Sequence, residues 1–172
     1  MDNIILIGMP GSGKSSVGIR LARALGCRFL DVDRLIEEQE GKPLQEVLDE
    51  QGTEAFLDTE GRVIQSIQCH HTIIAPGGSC VCRREAMEHL RKLGTVVYLS
   101  LSFDHVVSRI HNLATRGIAL EPGQTLQDVY DYRVPLYEKY AHLTVAADGQ
   151  SLADTVETVR QTLAAHHCAD QN

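Results

Sequence analysis

The sequence predicts an α/β protein built on a parallel sheet with helices on both faces. Short apolar runs alternate with longer segments of helical period, the pattern of strand–helix–strand units. A glycine-rich turn ending in a lysine stands directly between the first apolar run and the first amphipathic segment, the setting of a phosphate-binding loop. The 172 residues suffice for one such sheet, so residues 1–172 are expected to form a single domain.

Ile4–Ile7 is the first candidate strand. Lys14–Leu25 follows as a helix with Val17, Leu21, Ala24 and Leu25 on one face, and Gly26 supplies its stop. Arg28–Leu30 is the second strand. Pro43, at a first helical position, opens a helix over Leu44–Glu50. Thr53–Ile67 carries Phe56, Val63 and Ile67 at helical spacing. Thr72–Ala75 reads as the third strand, Arg84–Leu93 as a helix, Thr95–Leu99 as the fourth strand and Asp104–Asn112 as a helix. Leu113–Gly123 contains Gly117, Pro122 and Gly123 and reads as a mobile loop; irregular segments of that length are often active-site lids. Thr125–Tyr140, the fifth strand Leu143–Val145 and the helix Ser151–Ala164 complete the chain.

Composition removes several classes. Hydrophobic residues make up 43% and charged residues 23%, close to globular averages and far from those of disordered or fibrous chains. A formal net charge of −7 with no long run of like charge argues against a general nucleic-acid or membrane-surface binder. Aromatic residues are 5% with no Trp, too few for the stacking platforms of single-strand nucleic-acid binders. The N-terminal segment lacks the basic region and small-residue cleavage site of a signal peptide, and no apolar stretch reaches membrane-spanning length, so a cytoplasmic protein is expected. Cys27, Cys69, Cys80, Cys82 and Cys168 are then expected as free thiols. Cys80-Val81-Cys82, Cys69-His70-His71 and His166-His167-Cys168 lack the paired spacing of zinc sites.

Gly8-Met9-Pro10-Gly11-Ser12-Gly13-Lys14-Ser15 matches G-x-x-x-x-G-K-[ST], a P-loop. Glycines let backbone N–H groups converge on phosphate oxygens, and the positive end of the following helix adds to them. Gly11, Ser12, Gly13, Lys14, Ser15 and Ser16 are the candidate ATP-binding residues. Lys14 is the candidate for the β- and γ-phosphates and Ser15 for Mg²⁺. Asp31 and Asp33, two apart at the end of the second strand, can both project toward the crevice where α/β sheets bind ligands. Asp33 also reads as the N-cap of a helix beginning near Arg34.

From the P-loop to about Ala141 the sequence resembles the shikimate kinases. The residues that carry the resemblance are Phe29-Leu30-Asp31-Val32-Asp33, Gly52-Thr53-Glu54-Ala55-Phe56 with Glu60, Pro76-Gly77-Gly78, and Arg116 followed by Arg133-Val134-Pro135-Leu136-Tyr137. The resemblance implies a P-loop NTPase-type, five-stranded parallel sheet with a lid at about 113–123. It implies ATP-dependent phosphorylation of a shikimate hydroxyl to shikimate 3-phosphate, with Mg²⁺, in a monomer whose partners are ATP, ADP and a small hydroxylated acid. Lys14, Asp33 and Arg116 are its catalytic residues; Asp31 and Ser15 hold the metal. Asp33, Gly77, Gly78 and Arg133 bind the acceptor, with Arg133 on the carboxylate, while Arg116 closes over the transferring phosphoryl group and Arg109 covers the adenine.

The sequence also departs from the family. Where the family carries a second carboxylate-binding arginine after the Phe of its G-E-x-x-F-R segment, this chain has Leu57, followed by Asp58. A charged hydrogen bond contributes about 1.5–3 kcal/mol, so its loss weakens an anionic acceptor by roughly 10–150-fold. Arg62 lies about 140° around the helix from Leu57; Arg34 and Lys42 are the other candidates to replace it. The family's third glycine is Ser79, and Gly117-Ile118-Ala119 stands where its lid has Pro-Leu-Leu. Three functions therefore stay open: a shikimate kinase with a rearranged carboxylate pocket, a related kinase for another polyol or sugar acid, and a nucleotide-binding regulatory module without acceptor chemistry.

Overall fold

The computed structural model describes residues 3–110 and 118–169. Five parallel strands form one sheet in the order β2-β3-β1-β4-β5. They are β1 (Asn3–Ile7), β2 (Arg28–Asp31), β3 (Thr72–Ala75), β4 (Gly94–Ser100) and β5 (Leu143–Ala146). Eight helices accompany them among the described residues: α1 (Lys14–Leu25), α2 (Val32–Glu40), α3 (Leu44–Gln51), α4 (Thr53–Ser66), α5 (Arg84–Leu93), α6 (Phe103–Arg109), α7 (Leu126–Tyr140) and α8 (Leu152–Ala169). A 3₁₀ turn, Cys80–Cys82, follows β3.

Every residue of β1 is buried, as a central parallel strand covered on both faces must be. Side chains alternate across the sheet. Ile4 and Leu6 therefore join Val17, Leu21, Val159 and Leu163 beneath α1 and α8. Ile5 and Ile7 join Ile36, Phe56, Ile64 and Tyr137 on the other face. The chain leaves β1 for β2, two places away on one side of the sheet, while β4 pairs with β1 on the other. The carboxyl end of β1 is thus the switch point at which open α/β sheets bind ligands. The P-loop grows from it, beside the loop that follows β3.

Local chemistry explains the boundaries that differ from expectation. Asp31 ends β2 and also caps α2, its carboxylate accepting from the Asp33 amide at 3.1 Å. The helix therefore begins at Val32, and Asp33 stands in its first turn rather than capping it or extending the strand. Pro43 is the residue before α3, with extended ψ of 146°. Residues 113–117 of the expected lid, and with them Arg116, lie outside the described residues; Ile118 and Ala119 are buried. No helix among the described residues is long and apolar enough to cross a membrane.

Candidate active site

The P-loop needs its glycines for space and for dihedral angle. A Cβ on Gly8 would stand 2.7 Å from the Leu99 carbonyl oxygen and 2.9 Å from Ser12 Oγ. Gly13, at φ 94°, turns left-handed into α1 and offers no side-chain cap, so the first amides of α1 remain available to an anion. The Lys14 ammonium donates to the carbonyls of Gly8 at 2.8 Å and Met9 at 2.9 Å. Desolvation lowers the Lys14 pKa, and the nearby Asp33 carboxylate opposes that shift. Ser15 Oγ donates to Asp31 Oδ2 at 3.1 Å. A hydroxyl and a carboxylate side by side beneath a phosphate cradle form the oxygen donor set that Mg²⁺ takes.

One cavity of about 480 Å³ gathers Gly11, Gly13, Lys14, Ser15, Ser16, Asp31, Asp33, Gly77, Gly78, Arg109 and Arg133. Of the expected residues, Ser12 is buried beneath the loop and Arg116 is not described. Arg109 donates to the Gly11 carbonyl at 3.4 Å, which holds its guanidinium over the nucleotide end. Burial, reinforced by Asp31, pushes Asp33 up to about 6 against the pull of Lys14.

The loop after β3 forms the opposite wall. A Cβ on Gly77 would lie 2.5 Å from Glu60 Oε1 and 2.9 Å from Asp33 Oδ1, so two carboxylates crowd this position and no side chain fits. Gly78 is pressed against Pro10 of the P-loop, at 2.8 Å from a built Cβ to Cδ. Its carbonyl accepts from Tyr137 Oη at 2.5 Å. Ser79 donates to Glu60 Oε2 at 2.6 Å, while Oε1 has no hydrogen-bond partner among the described residues. Glu60 is 1% exposed, and burial drives its pKa up to about 7 despite the Ser79 bond. Arg133 is 4% exposed and donates to the Ala119 carbonyl at 3.1 Å. None of the ion pairs among the described residues includes Arg133.

Leu57 does not face the main cavity. It lines a second one of about 200 Å³, which shares Ala119 and Arg133 with the first. The candidates to replace an arginine at position 57 are turned elsewhere. Lys42 pairs with Glu50 at 2.6 Å, Arg62 donates to Thr59 Oγ1 at 3.0 Å, and Arg34 lines neither cavity. The arginine that does reach this face is Arg83, which the sequence did not single out. Its partners Asp58 and Glu54 lie 25 and 29 positions upstream, a pairing that only the fold creates. The burial of Glu60 was legible, because it falls on the apolar stripe of Phe56, Val63 and Ile67.

Comparison with known proteins agrees with this geometry. The model of a family described as shikimate kinase matches residues 10–164. A shikimate kinase from Paracidovorax citrulli is 36% identical over 94% of this chain and 91% of that protein. One from a Sulfurihydrogenibium species is 31% identical over 92% of this chain and 96% of that protein. Among solved structures, the Acinetobacter baumannii shikimate kinase in complex with shikimate superposes with a TM-score of 0.87 at 30% identity, covering 96% of this chain and 94% of that one. With its P-loop, its five-stranded parallel sheet and these relatives, the chain belongs to the shikimate kinase family, a family of small-molecule kinases.

Proposed function

We propose that this protein transfers the γ-phosphoryl group of ATP to a hydroxyl of shikimate, giving shikimate 3-phosphate. The observation that carries the acceptor half is Arg133. A guanidinium 4% exposed on a cavity wall, with no carboxylate partner among the described residues, calls for a counter-charge, and the carboxylate of a hydroxy acid supplies one. The cradle of Gly11–Ser16 would take the phosphates, with Lys14 moving from the loop carbonyls onto the β- and γ-oxygens. Ser15 and Asp31 fit Mg²⁺, which when bound neutralises charge on the phosphates.

Phosphoryl transfer goes through a loose transition state, so positioning outweighs base strength. Asp33 lines the same cavity as Lys14 and would accept the hydrogen bond of the attacking hydroxyl, with its proton at the end of transfer. Gly77 and Gly78 bring backbone to the acceptor where no Cβ fits. Arg109 is assigned to the adenine side and Arg116, by resemblance to the family, to the transferring group. A cytoplasmic monomer serving ATP, ADP and a small hydroxylated acid completes the proposal.

One observation favours a second reading, a different hydroxy acid or polyol: among the described residues, Arg133 is the single guanidinium at the acceptor end of the main cavity. ADP release with Mg²⁺-ATP, measured against shikimate, quinate, gluconate and related polyols, decides between them. Saturable turnover with shikimate at sub-millimolar KM is the expected result. Turnover only with another acceptor supports the second reading, and ATP binding without turnover on any acceptor supports a regulatory module.

A further inference from the structure

Gly61, Asp58, Leu57 and Glu54 lie on one side of α4, at the three- and four-residue spacings that make helical neighbours. Arg83 arrives on that stripe from the junction of the 3₁₀ turn and α5. Its Cγ and Cβ lie 3.5 and 3.6 Å from a Cβ built on Gly61, so the stem passes where a side chain is missing. Its guanidinium reaches Asp58 Oδ1 at 2.8 Å and Glu54 Oε2 at 2.9 Å. A guanidinium thus stands beside Leu57 without being attached to α4. Arg83, Leu57 and Arg133 line the same 200 Å³ cavity. Arg133 and Ala119 also line the main cavity, so the two cavities adjoin at these residues.

We propose that Arg83 is a specificity-determining residue of the acceptor site, supplying from the junction ahead of α5 the second guanidinium contact to the acceptor carboxylate that Leu57 cannot make from α4. The inference rests on the proposed function, because it requires a carboxylated acceptor. The present partners of Arg83 are two carboxylates and two backbone carbonyls, of Glu54 at 3.1 Å and Cys82 at 3.4 Å, and the carboxylates are the partners a ligand would displace. Glu54 and Asp58 have side chains 75% and 67% exposed, and exposed pairs of this kind are weak and exchange readily with water. A ligand carboxylate held between two guanidinium forks is the stronger, more desolvated arrangement. Gln124, on the rim of the same cavity, offers a neutral donor beside them.

Arg83→Gln, Arg83→Lys and the unaltered protein are compared in steady-state kinetics with shikimate and with its methyl ester, which keeps the hydroxyls and removes the charge. For Arg83→Gln the expected result is a shikimate KM raised about 10-fold or more, with kcat changed less than about threefold and the KM for ATP unaltered. Arg83→Lys is expected to recover part of the loss, and with the ester all three proteins are expected to be alike. An unaltered shikimate KM in Arg83→Gln overturns the inference. An equal penalty on acid and ester also overturns it, since that outcome means Arg83 only braces α4. Failure of the unaltered protein to use shikimate overturns the acceptor assignment and the inference with it, a result distinct from either of the others.

Discussion

Glu60 shows how one atom group can set a pH response. Its carboxyl is 1% exposed, has one oxygen without a hydrogen-bond partner among the described residues, and is raised from 4.5 to about 7 by burial. A raised carboxyl binds a proton more tightly in the fold than in the open chain, so stability falls as pH climbs from the unfolded to the folded value. The penalty is absent below pH 4.5 and fully developed above about pH 7, and it amounts to about 3 kcal/mol. Glu60→Gln keeps an acceptor for Ser79 and puts a donor where Oε1 stands alone. In thermal melts this variant is expected to match the unaltered protein near pH 4.5 and to exceed it at pH 8.5. Asp33, raised to about 6, contributes a limb of the same sign and is coupled to Glu60 by charge, so the difference between the two proteins reports Glu60 together with its effect on Asp33. Equal pH dependence in the two would show that folding does not raise the Glu60 pKa. Reading the sequence alone finds Glu60 on an apolar helical stripe but not the Ser79 hydroxyl that bonds it, because that bond spans 19 residues.

Elements whose signals are local were legible. β3, α1 and α5 have the boundaries that period and turn chemistry predict. α2 was misplaced because a single residue, Asp31, both ends a strand and caps a helix, and sequence alone does not assign it two roles. Pro135 did not break α7: it lies on the exposed side with Asp131, where solvent is available to the carbonyl that proline leaves without its helical donor. α7 carries Arg133 and Tyr137 on its buried face, so its start matters to the acceptor wall. A capping box holds that start, with Thr125 Oγ1 accepting from the Asp128 amide at 3.1 Å and Asp128 Oδ2 accepting from the Thr125 amide at 2.8 Å. Thr125→Ala is expected to cost about 1 kcal/mol, a fall of about 2–4 °C in Tm, with a larger effect on the acceptor KM than on the KM for ATP. A Tm within 1 °C of the unaltered value would mean that packing, not the cap, holds the end of α7.

At the scale of the whole molecule, a net charge of −7 gives no long-range attraction for an anionic nucleotide, so phosphate binding has to be local. The proposed devices are the uncapped first turn of α1, the Lys14 ammonium and, through Mg²⁺, the Ser15–Asp31 oxygens, all at the carboxyl end of β1. The proposed acceptor devices belong to α4, α7, the loop after β3 and the junction ahead of α5, on the other side of that switch point. The two halves should therefore respond separately to mutation. Mg²⁺-ATP at a hundred times its Kd stabilises a protein by about 2.7 kcal/mol, which for a chain of this size raises Tm by about 5–10 °C. Lys14→Met also removes two bonds to loop carbonyls, so the informative quantity is the shift on adding nucleotide rather than the absolute Tm. Under the same nucleotide concentration that shift is expected to fall below about 2 °C in Lys14→Met and to stay whole in Arg83→Gln. An undiminished shift in Lys14→Met would remove the lysine from the phosphate site; a diminished one in Arg83→Gln would mean that the acceptor wall and the nucleotide cradle form one cooperative unit.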